Sequence, residues 1–239
     1  MKMHHLNSIK LWAIIPAAGS GRRFSATDLK QYQIIQDRTV LEHSVSRLNA
    51  LPLTGYVLAV SADDHVAKSL KFTCAEKAHF CLGGAERVDS VLNALNYLSN
   101  IADPNDLVLV HDAARPCVSI ENLNTLLETA LYSKQSAILA VPVRDTLKLG
   151  STEHHSIVKT VSREQLWQAQ TPQISSIALL KTALERALAD AVHVTDEASA
   201  LEYCAAPVQI VPGRSDNIKI TYPEDLELAR LILQSQQDV

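Results

Sequence analysis

The residues best suited to chemistry begin at "PAAGSGRRF" (16–24) and continue into "LKQY" (29–32). Two glycines, Gly19 and Gly21, follow an apolar run, and Arg22, Arg23 and Lys30 follow them. Glycine lets backbone N–H groups come close to a ligand, and fixed cations beside them suit a polyphosphate whose charge grows as a bond breaks. Two familiar glycine motifs fail. G-x-x-x-x-G-K-[ST] is absent, which excludes a P-loop NTPase. G-x-G-x-x-G breaks at its third glycine, where Phe24 stands, and the next apolar run ends in Ser61 rather than an acid.

Other stretches carry complementary groups. In "LVLVHDAARP", Asp112 ends an apolar run, where an acid binds a divalent cation or a sugar hydroxyl, or simply caps a turn. Arg115 stands three residues on and is expected to pair with it structurally rather than to act in catalysis. "GGAERVDSV" (83–91) sets two glycines before a helical pattern. Ser90, about one turn in, either reaches a ligand or is an exposed helix serine. Lys219 lies between Ile218 and Ile220, so it points away from the core or into a cleft. Thr195 is a helix-cap candidate, and Asp196 and Glu197 read as first-turn acids. No G-x-S-x-G elbow and no Cys–His pair stands out. Phosphoryl chemistry without a protein nucleophile fits nucleotidyl transfer to a phosphate monoester, an acceptor largely dianionic at neutral pH that needs no general base. Alignment and cations around the α-phosphate then do the work, with Mg²⁺ neutralising the triphosphate.

The elements that must position these groups alternate. Apolar runs at 11–16, 56–61, 79–82, 107–112, 136–142 and about 207–212 read as buried strands. Helical periods fall at 39–51, 86–98, 119–131 and about 175–190, with a last helix from about Pro223. Strands that are apolar throughout, separated by amphipathic helices, predict an α/β domain with a mostly parallel sheet covered on both faces. Residues 143–165 break the pattern with two polar-alternating segments joined by "GSTEHH", a projecting β-arm suited to meeting a second subunit. A single domain over 1–239 is expected.

Composition adds limits. The 239 residues are 47% hydrophobic and carry a net charge of -4, so global basicity toward nucleic acid is lacking and no apolar run is long enough for a membrane span. A cytoplasmic protein is the expectation. The four cysteines form no C-x-x-C and read as free thiols. The pairs His4–His5 and His154–His155 are adjacent and share no helix or strand face, so no metal held by protein side chains is expected.

Taken together and in order, "PAAGSGRRF", "KQY", "LEHSV", "GGAERVDSV", "VLVHDAARP", "PVRDT", "TPQ", "TDEASALE" and "DNIKIT" resemble the 2-C-methyl-D-erythritol 4-phosphate cytidylyltransferases, over most of residues 12 to 225. The resemblance implies a Rossmann-like fold and a homodimer clasped by the β-arms. It implies a reaction of CTP with methylerythritol phosphate to give the CDP-alcohol and pyrophosphate, a step of isoprenoid synthesis. Carried to matching positions, Ala17, Ala18, Gly19 and Gly21 would line the CTP site, with Arg23 and Lys30 stabilising the transition state. Gly84 and Ser90 would read cytosine, and Asp112 and Ala113 would meet the ribose or the metal region. Thr146, Arg163 (from the other subunit) and Thr195 would hold the acceptor, and Lys219 would position it. Leu29 stands where the family often has proline, and Ala85 where some relatives have an acid. A cytidylyltransferase for another polyol phosphate, such as ribitol 5-phosphate, and an inactive nucleotide-binding protein are the competing readings.

Overall fold

The computed structural model describes residues 9–19, 21, 24–25 and 28–236. The chain runs β1 (Leu11–Pro16), β2 (Ile34–Ile35), β3 (Arg38–Thr39), α1 (Val40–Leu48), β4 (Gly55–Val60), β5 (Ala78–Leu82), α2 (Arg87–Leu98), β6 (Leu107–Val110), α3 (Ile120–Ser133), β7 (Ser136–Pro142), β8 (Leu147–Gly150), β9 (Ile157–Val161), β10 (Trp167–Ser176), α4 (Ile177–Ala189), α5 (Glu197–Tyr203), β11 (Val208–Pro212) and α6 (Asp225–Ser235). Lys30–Tyr32 forms a single 3₁₀ turn between β1 and β2.

Seven strands make one sheet in the order β11-β7-β10-β6-β1-β4-β5. The central apolar strands are buried on both faces. Along β1, Leu11, Ala13 and Ile15 pack on one face with Val45 of α1 and Leu123 of α3. Trp12 and Ile14 pack on the other with Leu95 of α2, Leu184 of α4 and Leu201 of α5. This period-2 division of one apolar run between two helix layers is what an α/β sheet requires. A smaller cluster seats α6, through Ala229 and Leu233, against Phe24, Ile35, Val40 and Ile220. Phe24, the residue that spoils the dinucleotide fingerprint, is thus a core residue.

Helix starts are specified locally. Thr39 and Glu42 form a reciprocal capping box at α1, Ser119 caps α3 and Ser176 caps α4. At α5 the cap is Asp196, whose carboxylate accepts from the Ser199 N–H, and not Thr195. Pro223 stands two residues ahead of α6.

One strand departs from the expected pattern. β10 lies in the middle of the sheet and runs antiparallel to both neighbours, β6 and β7. Its sequence, "WQAQTPQISS", carries glutamine, threonine and serine at buried positions, so neither apolar continuity nor alternation marks it. The polar groups are satisfied across the fold, as where Ser136 Oγ donates to Ser175 Oγ at 2.9 Å. Pro172 is accommodated because the pairing with β7 shifts between Ala169 and Gln173. Residues β8 and β9 pair only with each other, as a separate antiparallel hairpin. Ile157 and Val158 on it are 66% and 60% exposed. Among the described residues no helix is long and apolar enough to cross a membrane.

The amino ends of β1 and β6 are tied by one acid. Asp106 is buried, and its carboxylate accepts from the Lys10 N–H at 2.9 Å, the Trp12 indole at 3.1 Å and the Asp103 N–H at 3.1 Å. Asp106→Ala strands these donors and is expected to destabilise the fold by about 3 kcal/mol. Urea unfolding checks this, and a loss below about 1 kcal/mol would show that water replaces the carboxylate.

Candidate active site

Strands β1, β4, β5 and β6 are parallel, so their carboxyl ends share one edge. There the loops converge. A cavity of about 290 Å³ is lined by Pro16–Gly19 after β1, Gly84–Arg87 and Ser90 at the start of α2, Asp112–Ala114 after β6, and Lys30, Gln31 and Lys219. Ile220 N donates to Ala114 O at 2.9 Å and brings the Lys219 segment to this edge.

Lys30 is held in place by its neighbours. Gln31 Nε2 donates to Ala17 O at 2.9 Å, and the Tyr32 hydroxyl donates to Asp64. The Lys30 ammonium donates to Ile220 O at 2.9 Å. Gly21 has φ +61°, the left-handed region, and lies against the Lys30 stem; a Cβ there would sit 3.5 Å from Lys30 Cγ. Gly84 is required by closeness, since a Cβ would fall 2.1 Å from Asp89 Cβ.

On the opposite side, charges gather on Asp112. Its carboxylate meets Arg87 Nε at 2.9 Å, Lys219 Nζ at 2.8 Å and Arg115 Nε at 3.4 Å. Arg87 also forks onto Glu197, with Nη1–Oε1 at 2.7 Å and Nη2–Oε2 at 3.1 Å. Burial alone would raise the Asp112 pKa, but Arg87, then Lys219 and Arg115, hold it far below the usual carboxylate range. For Arg87 burial pulls the pKa down, and the attraction of Glu197 and Asp112 outweighs it, so the guanidinium stays charged.

Most of the expected site residues meet here. Ala17, Ala18, Gly19, Lys30, Gly84, Ser90, Asp112, Ala113 and Lys219 all line the cavity. Gly21 supports Lys30 from behind. Arg115 takes the expected structural role, adding a bond from Nη1 to Asn217 O at 2.7 Å. Ser90 is not exposed: its Oγ accepts from Gly84 N at 3.0 Å and donates to Glu86 O at 3.2 Å, closing the glycine loop over the helix start. Thr195 lies in a second cavity of about 550 Å³, which shares Glu86 and Arg87 with the first. Thr146 and Arg163 flank the hairpin, are exposed and line neither cavity. Arg23, with Arg22, lies outside the described residues.

Sequence reasoning missed Arg87 and the true role of Glu197, which pairs rather than caps. It also missed Thr171. Asp112 N donates to Thr171 Oγ1 at 3.0 Å, and that hydroxyl lies 3.0 Å from His111 Nδ1. His111 Nε2 lies 2.9 Å from Arg115 O, an acceptor only, so Nε2 carries the proton and Nδ1 accepts from Thr171. Both ring nitrogens are engaged, so the one histidine of this loop is structural.

Burial pushes the His111 pKa down, from 6.5 to about 4. Between these values the unfolded chain binds a proton that the folded chain refuses. The contribution is therefore complete above pH 6.5 and is lost as pH falls toward 4, roughly 3 kcal/mol in all. Urea midpoints from neutral to acid pH should fall more steeply for the wild type than for His111→Gln. Parallel slopes would mean that other groups set the acid limit.

The cavity thus offers cations on two sides and small residues between them, and the one hydroxyl among its described lining residues, that of Ser90, is bonded to Gly84 and Glu86, an arrangement for a phosphorylated ligand. Comparison with known proteins agrees. The family model for 2-C-methyl-D-erythritol 4-phosphate cytidylyltransferase matches residues 11–235. A protein of that name from Acinetobacter baumannii is 67% identical over 235 residues, covering 98% of each chain. One from Acinetobacter baylyi is 63% identical over the same length, again covering 98% of each. A crystal structure of a 4-diphosphocytidyl-2C-methyl-D-erythritol synthase superposes with a TM-score of 0.81 at 37% identity, over 94% of this chain and 99% of that one. The Francisella tularensis 2-C-methyl-D-erythritol 4-phosphate cytidylyltransferase gives 0.80 at 35% identity, over 93% and 99%. With the motifs of its loops gathered on one sheet edge and these relatives matched end to end, the chain belongs to the 2-C-methyl-D-erythritol 4-phosphate cytidylyltransferase family.

Proposed function

We propose that the protein transfers the cytidylyl group of CTP to 2-C-methyl-D-erythritol 4-phosphate, giving 4-diphosphocytidyl-2-C-methyl-D-erythritol and pyrophosphate in isoprenoid biosynthesis. The observation that carries this reading is the cavity that sets Lys30 and Lys219 around a floor of Ala17, Ala18, Gly19 and Ala113. An acceptor phosphate, largely dianionic at neutral pH, attacks the α-phosphate and pyrophosphate leaves. No base is needed; the enzyme aligns the two anions and meets the charge that develops.

The proposed roles are those that the family motifs suggest. Ala17, Ala18, Gly19 and Gly21 surround the nucleotide, and Gly84 with Ser90 forms the wall against cytosine. Lys30 is assigned to the α-phosphate in the transition state, and Arg23 is given the same role from its place in the motif alone. Asp112 and Ala113 border the ribose. Lys219, paired with Asp112 in the free protein, exchanges that partner for the acceptor phosphate. Thr195 completes the acceptor side. The residues present suit a Mg²⁺ held mainly by the triphosphate, since Asp112 already pairs with three cations. Bound there, Mg²⁺ would lower the charge repelling the acceptor.

The same reading makes the protein a cytoplasmic homodimer, clasped by the β8–β9 hairpin. The exposed Ile157 and Val158 supply an apolar surface for this, and Thr146 and Arg163 then reach the partner's cavity.

Pyrophosphate release from CTP with each candidate acceptor tests the reaction. Turnover with ribitol 5-phosphate but none with methylerythritol phosphate would overturn it. Lys30→Ala is expected to lower kcat roughly a hundredfold or more while CTP binding changes only a few-fold. Equal losses would assign Lys30 to ground-state binding. Across a dimer, Lys30 and Arg163 of one site come from different chains. Mixing inactive Lys30→Ala and Arg163→Ala proteins should therefore restore about a quarter of wild-type activity. No recovery after subunit exchange would place Arg163 in its own chain's site.

A further inference from the structure

We propose that Glu197 is a positioning residue for this reaction, acting through Arg87 to keep Lys219 presented to the cavity. The proposal rests on the cytidylyl-transfer reading above. Glu197 itself does not line the cavity, whereas Arg87, Asp112 and Lys219 do. Its side chain is only 3% exposed, and both carboxylate oxygens bond to Arg87.

Arg87 needs such a partner. It is the first residue of α2, where the helix dipole disfavours a cation. A guanidinium can fork onto only one carboxylate along a given edge. Because Glu197 takes Nη1 and Nη2, Arg87 offers Asp112 only Nε, at 2.9 Å. One Asp112 oxygen, Oδ2, is then left for Lys219 at 2.8 Å, with Arg115 more distant at 3.4 Å. Without Glu197, Arg87 would fork onto Asp112 and displace Lys219. The cluster would also hold three cations against one carboxylate instead of two.

Glu197 is in turn fixed from behind. Gln173 on β10 accepts from Ala198 N at 2.8 Å and donates to Asp196 Oδ2 at 2.9 Å, which pins the first turn of α5. The chain of control runs from a buried strand, through a helix start and two ion pairs, to the ammonium that meets the acceptor. The links ahead of that ammonium are shielded from water, with Glu197 3%, Asp112 8% and Arg87 29% exposed, against 36% for Lys219 itself.

Two measurements test this. A crystal structure of Glu197→Gln should show Arg87 turned onto both oxygens of Asp112 and the Lys219 ammonium more than about 4 Å away. Retention of the Lys219–Asp112 pair there would overturn the proposal, whatever reaction the protein catalyses. In kinetics well below the variant's Tm, Glu197→Gln should lower kcat at least about tenfold, raise KM for the acceptor, and leave KM for CTP within about threefold. The same substitution in an Arg87→Lys background should cost less than about twofold, because the route through the guanidinium is already cut. Wild-type constants in Glu197→Gln, or an equal loss in both backgrounds, would refute it. A wild type that fails with methylerythritol phosphate would instead refute the reaction, leaving the crystal structure to decide the role of Glu197.

Discussion

The structure turns on one carboxylate taken out of water. Asp112 is nearly buried at the end of β6, and a desolvated charge is tolerable only where opposite charges and hydrogen bonds surround it. Its partners come from the start of α2, from its own loop and from the segment before α6. Its backbone N–H is satisfied by Thr171 of β10. Three stretches distant from it in sequence are therefore brought into register around one residue, two by its charge and one by its backbone N–H. Such clusters contribute little net stability, because desolvation offsets most of the Coulomb gain, but a misplaced partner is heavily penalised. Their effect is to select one arrangement of the loops.

The two lysines of the cavity are restrained by different physics. Lys30 leans on the carbonyl of Ile220, a neutral dipole, while Gln31 and Tyr32 anchor its turn on either side. Lys219 is held by a full negative charge. A carbonyl contact carries no net charge to compete with an incoming phosphate. An ion pair must be given up, or shared, as the second anion enters. The ammonium of Lys219 is thus the one suited to exchange.

How much of this was readable in the sequence depended on where each residue finds its partner. β1, β4, β6 and β7 announce themselves as apolar runs, because both their faces meet helices. α1 and α3 carry their caps within four residues of their starts. The glycines, Lys30, Asp112 and Lys219 were legible because ligand-binding loops sit at strand ends. β10 was not, since Gln170, Thr171 and Gln173 are satisfied by Arg214, Asp112 and Asp196, far along the chain. Glu197 looked like a first-turn acid because its partner Arg87 lies 110 residues away. For Ser90 the sequence left a ligand contact and an exposed position both open, because its acceptor and donor are in the loop before it, a fold no periodicity records.

The direction of β10 has a consequence for the hairpin. Pro142 at the end of β7 stands opposite Trp167 at the start of β10, so the excursion between them leaves and re-enters the sheet on the same edge. That edge is the one where β1 and β6 open onto the cavity. Had β10 run parallel to β7, its connection would have had to cross to the far side of the domain. Reversing one polar strand thus decides which end of the molecule carries the hairpin, and puts it at the same end as the cavity.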